Sequence, residues 1–138
     1  METVEFLILK NLLHNEEYVR KVIPFIKGDY FEDRNQKIVF EEIINFVQEY
    51  NQPVTKEVLC IEAEKRQDIT DESFQEITQL IGSLEDQPSE FEWLVNTTEK
   101  WCRDRAIYLA LMESIHIADG NDEKKNRDSI PTILSDAL

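Results

Sequence analysis

The chain has 138 residues, 41% hydrophobic and 32% charged, with 3 glycines, 4 prolines and a formal net charge of −14. That length builds one domain able to bury about two-thirds of its unfolded surface without disulfide or metal staples. So few glycines and prolines favour helices joined by short loops, an all-α fold. No Lys or Arg occurs between Arg66 and Lys100, whereas Asp68, Asp71, Glu72, Glu76, Glu85, Asp86, Glu90, Glu92 and Glu99 do, a balance that repels a nucleic-acid backbone.

The opening METVEFLILKNLL has acids at Glu2 and Glu5 and no basic n-region, so it reads as a helix and not a secretory signal. Its apolar positions Val4, Leu7, Ile8 and Leu12, widened by Phe6, Leu9 and Leu13, predict a helix from Glu2 to His14. Asn15 is an N-cap for a short second helix with Glu16 and Glu17 in its first turn, ended by Pro24. After Gly28, Val39, Phe40, Ile43, Phe46, Val47 and Tyr50 mark a third helix from about Asp33 to Tyr50, stopped by Asn51 and Pro53. Thr55 caps a fourth helix running to about Arg66. Thr70 caps a fifth, with Phe74, Ile77, Leu80 and Ile81 inward and Gly82 as a left-handed C-cap.

Ser89-Glu90-Phe91-Glu92 fits the S-x-x-E capping box, and no Pro or Gly follows until Gly120. The sixth helix would therefore run about thirty residues, or roughly 45 Å, longer than the roughly 35–40 Å width of a compact domain of this size. It must project or pack along something. The polar stretch Asp119 to Asp128 reads as an exposed loop, and Ser129-Ile130-Pro131 as the N-cap and first turn of a returning helix through Ile133, Leu134, Ala137 and Leu138. This last helix is still amphipathic and uncapped at Leu138, which leads to the expectation of a linker beyond it. No run reaches membrane-spanning length.

Around Ala106-Ile107-Tyr108-Leu109-Ala110-Leu111-Met112, apolar residues occupy every direction about the helix axis, which demands neighbours on more than one side. The returning helix can supply one neighbour, the helical body another, and a second copy of the chain a third, because a two-fold interface uses one patch twice; the alternative is a central helix buried inside a monomer. The candidate subunit interface comprises Trp93, Trp101, Ile107, Tyr108, Leu111, Met112, Ile115, Ile133 and Leu134. Of the two tryptophans, eight residues apart and so roughly 80° off a common face, core packing is the default for one.

Chemistry is sparse. Gly28, Gly82 and Gly120 stand far apart and outside any phosphate-cradling motif. His14 and His116 have no Cys or His at i+3 or i+4, and no C-x-x-C occurs, so neither a catalytic nor a metal site is assigned. His116 reads as a core or interface imidazole. Cys60 and Cys102 read as small buried thiols, both reduced.

The order ILKNLLHNEEYVRKVIPFIKGDYF, KIVFEEIINFVQEYNQPVTKEVL and QPSEFEWLVNTTEKWCRDRA resembles the N-terminal domain of hexameric replicative DNA helicases of the DnaB class. The match is nearest to the branch carried by T-even-type bacteriophages, on Tyr30 to Glu32, Glu49-Tyr50 before a proline, Leu80-Ile81, Trp93 to Val95, Thr98 to Lys100 and Arg105-Ala106. Asn35-Gln36 stand where many cellular members carry a histidine, and NQP follows the third helix without the usual glycine.

The resemblance implies a globular head at 1–88 and a dimerising helical hairpin at 89–138 leading to a linker helix, with the motor domain absent. It implies pairing with itself into a trimer of dimers, docking of primase and in some systems a helicase loader, and contact with DNA only through the intact ring. ATP and Mg are expected in the motor domain and no cofactor here, in a protein of the cytoplasm, or of the host cytoplasm if phage-encoded. The reading from another class is a stand-alone acidic adaptor or inhibitor that binds a basic replication protein.

Overall fold

The computed structural model describes residues 2–138, and among them every regular element is helical. Helix α1 (Val4–His14) is capped by the Thr3 hydroxyl, and α2 (Glu16–Val22) by the Asn15 side chain, each accepting a backbone N–H of its helix. After a 3-10 turn at Gly28–Tyr30, α3 (Arg34–Tyr50) starts on an Asp33 cap. It ends where Asn51 enters the left-handed region at φ 52°, which asparagine tolerates better than most residues. Helices α4 (Lys56–Glu64) and α5 (Asp71–Ser83) start on the Thr55 and Thr70 hydroxyls. Helix α6 (Phe91–Ala118) has 28 residues, roughly 42 Å, and α7 (Ile130–Ala137) returns along it after a 3-10 turn at Arg127–Ser129.

Helices α1 to α5 close around Ile8, Leu9, Leu12, Val22, Ile38, Ile43, Leu59, Ile77 and Ile81, all almost inaccessible to water. The first turns of α6 complete this core. Leu94, Val95, Thr98 and Cys102 lie on its buried face, and the Thr98 hydroxyl sits 2.6 Å from that of Tyr18, joining α6 to α2. Thr98 has one proton and donates it to the Leu94 carbonyl, so the Tyr18 hydroxyl donates to Thr98. Burial, which disfavours a phenolate, pushes the Tyr18 hydroxyl well above the ordinary tyrosine range.

Four expectations need correction. No capping box forms at Ser89: the helix starts on Glu90 without a side-chain cap, and the Ser89 hydroxyl instead lies 3.5 Å from the amide nitrogen of Asn11. Gly82 is not a left-handed cap, because α5 continues to Ser83 and its last carbonyls are taken by Lys56 Nζ, bonded to Gly82 O, and Ser83 Oγ, bonded to Leu80 O. Ser129 is itself helical and makes no capping bond. Arg127 anchors its turn to the Ala118 carbonyl, and the cap moves upstream to Asn126. Finally, His116 is not a core imidazole: its neighbours Ser114 and Ile117 turn inward and leave it exposed on the outer side, where only the interface half of that reading stands.

Candidate subunit interface

The projecting half of α6 carries two apolar faces with different fates. Ala110, Ser114 and Ile117, spaced i, i+4, i+7, are buried on the side where α7 packs. At about 100° per residue, Tyr108, Leu111, Met112 and Ile115 fall within a roughly 100° arc on the opposite side. Their exposures are 47%, 48%, 48% and 54%, and they form one continuous stripe. The stripe is symmetric about the point between Leu111 and Met112, with Tyr108 and Ile115 equidistant from it.

Helix α7 closes the other side only partly. Ile133 and Leu134, with Ile130 and Ala137 on the same face, are half-buried, and no α7 residue is fully buried. Ile107 is half-buried as well. The two tryptophans separate, and Trp101, expected at the subunit interface, is removed from it because Phe31, Tyr30 and Glu5 of the head take up its side chain. Trp93 is 53% exposed, whereas Trp101 belongs to the head: its ring packs 5.0 Å from that of Phe31 and edge-on to Tyr30, and its Nε1 donates to Glu5. Trp101 is thus the core member of the pair, leaving Trp93 with the exposed residues.

Arg105, which the sequence marks only as part of the resemblance and gives no role, stands where α6 leaves the head. Its Nε donates to the Tyr30 carbonyl at 2.6 Å, and its guanidinium lies 5.0 Å from the centre of the Tyr108 ring. Nothing in the linear pattern gives it a role, because Tyr30 arrives from 75 residues away. The head also carries a cleft of about 350 Å³ between α1, α2 and the end of α3, lined by Leu12, Leu13, Val19, Ile23, Val47 and Pro53, with the Glu16–Arg20 ion pair at its edge. Its walls meet only in three dimensions, so no local signal announced it.

Titratable groups offer little reactivity. Cys102 is buried, its thiol pushed up to about 12, and Cys60 is half-buried and raised by the same desolvation. Both are free of disulfides. His14 meets the Leu84 carbonyl at 2.6 Å through Nε2. Among the described residues no group of three His, Cys, Asp or Glu side chains is placed to hold a metal ion, and no helix is long and apolar enough to cross a membrane. The nine acids between Arg66 and Lys100 are all exposed.

Head, projecting helix and returning helix define a class: an all-α domain that presents a helical hairpin with an uncovered apolar stripe. The chain belongs to the DnaB-like helicase N-terminal domain family, whose model matches residues 1–92. The match spans the head and ends in the first turn of α6. Similarity continues through the hairpin in the DnaB-like replicative helicase of Enterobacteria phage T4, 31% identical over 140 residues, covering 96% of this chain and 29% of the relative. This chain therefore spans less than a third of that helicase's length.

Proposed function

We propose that this chain is the assembly domain of a phage-type replicative DNA helicase, in which α6–α7 hairpins pair two copies and three such pairs form the ring's N-terminal tier. The observation that carries this reading is the exposed stripe of Tyr108, Leu111, Met112 and Ile115, symmetric about its own midpoint. Antiparallel pairing about a two-fold axis sets Leu111 against Met112 of a second copy and Tyr108 against its Ile115.

Burying a side chain of this size from full exposure contributes about 1.5–3 kcal/mol. Eight half-exposed side chains therefore contribute roughly 6–12 kcal/mol, against an association cost of about 4–15 kcal/mol. The stripe alone makes a weak pair, and the half-buried Ile107, Ile133 and Leu134 are the residues that extend it. Nucleotide and Mg would bind a motor domain following the hairpin. The head offers primase two surfaces, the exposed acids and the cleft beside α2; the same acids support the second reading, an adaptor for a basic replication protein.

Cysteine cross-linking tests the pairing. In a Cys60→Ser background, a mixture of Tyr108→Cys and Ile115→Cys chains should form a disulfide that neither chain forms alone. In the antiparallel arrangement like positions lie about 10 Å apart along the axis, beyond disulfide reach. Cross-linking by each chain alone would indicate parallel pairing, and none in any mixture would remove the hairpin interface.

A further inference from the structure

Arg105 sits at the junction between two regimes of α6, after Cys102, which is buried in the head, and before Ala110, which faces α7. Although it lies on a projecting helix, its side chain is only 16% exposed. Three groups surround it. The Tyr30 carbonyl accepts from Nε at 2.6 Å, the Tyr108 ring lies 5.0 Å from the guanidinium, and the Glu32 carboxylate, itself exposed, lies 3.9 Å from Nη1. Tyr30 ends the 3-10 turn of the head and rests edge-on against Trp101, so the turn grips α6 at two successive levels. Tyr108 opens the exposed stripe.

We infer that Arg105 is a positioning residue for pairing: it fixes the hairpin's direction relative to the head and holds the Tyr108 ring in the orientation that a second copy meets. This inference rests on the hairpin-pairing reading above. The chemistry is specific to arginine. A planar guanidinium can donate in its plane to a carbonyl while presenting its face to an aromatic ring, and a lysine ammonium cannot do both. A charged donor on a carbonyl is also stronger than a neutral one, which suits a contact that must resist the leverage of a long helix. With Tyr108 held in advance, less side-chain freedom is lost on pairing.

The test is sedimentation equilibrium of the wild-type chain, Arg105→Lys, Tyr108→Leu and the double variant, with urea unfolding and the Tyr108 ring proton resonances recorded for each chain that retains the tyrosine. Arg105→Lys should weaken pairing about tenfold, shift the Tyr108 ring resonances and leave the urea midpoint close to wild type. In the Tyr108→Leu background the same substitution should change pairing by much less. Wild-type pairing with Arg105→Lys pairing equally well overturns the role of Arg105 and leaves the interface standing. So does an equal effect of the substitution in both backgrounds. A wild-type chain that never pairs overturns both.

Discussion

Replacing Thr98 with valine removes one oxygen from the contact that ties α6 to α2 and leaves the shape almost unchanged. Tyr18 and Thr98 are both fully buried, and the tyrosine proton has no other partner. In Thr98→Val the Tyr18 hydroxyl is stranded away from water, at a cost of about 1–3 kcal/mol. In Tyr18→Phe the threonine keeps its bond to the Leu94 carbonyl, so only one ordinary hydrogen bond is lost, about 1 kcal/mol. The double variant sets a phenyl ring against a valine with nothing stranded, and its loss should be smaller than the two single losses added, by about 1 kcal/mol or more. Urea unfolding followed by circular dichroism resolves this. With a slope of about 2 kcal/mol per molar urea, a loss of about 2 kcal/mol in Thr98→Val moves the midpoint down by about 1 M. A Thr98→Val midpoint equal to wild type, or single losses that add in the double variant, would refute the buried-pair reasoning.

Met112→Asp should abolish pairing while leaving helix content intact, because the half-exposed position keeps the charge hydrated in one copy but buries two unpaired carboxylates in the pair, costing several kcal/mol; sedimentation and circular dichroism report the two effects separately. The chain should lose stability at alkaline pH. Burial raises the Cys102 thiol and the Tyr18 hydroxyl, so the folded chain retains protons that the unfolded chain releases. Stability is thus fully present below the ordinary thiol value of 9.0 and falls as pH rises towards 12, and Cys102→Ala should flatten the early part of that fall in urea titrations. Asn51→Gly should raise the urea midpoint slightly, by the equivalent of a few tenths of a kcal/mol, since glycine occupies the left-handed region without strain, whereas Asn51→Ala should lower it.

Much of the fold was legible because it is written locally. Asn15, Thr55 and Thr70 each stand one residue ahead of an apolar helical pattern and cap the helix they precede, whereas Thr3 and Asp33, read as helical, prove to be caps as well. Local signals failed where a distant group competed for the same atoms. Ser89 had every feature of a capping box, yet its hydroxyl faces Asn11, 78 residues away, and Gly82 lost its expected role once Lys56 reached across from α4. The all-round apolar character of α6 asked for several neighbours, of which the structure supplies the head and α7, but periodicity could not apportion its faces. His116, expected among apolar neighbours, turned outward, and the division between Trp93 and Trp101 depended on Phe31 and Tyr30 arriving beside only one of them. The role of Arg105 was hidden for the same reason, since it comes from a carbonyl in the 3-10 turn of the head.

Light scattering on the 16.3 kDa chain across a concentration series tests the central claim most directly. Pairing through the stripe on α6 requires a mass that rises towards twice the chain mass with concentration, or beyond it in even steps, and falls back on dilution. A mass of one chain at every concentration would contradict the assembly reading and move the weight to the acidic surface as the working part of the molecule.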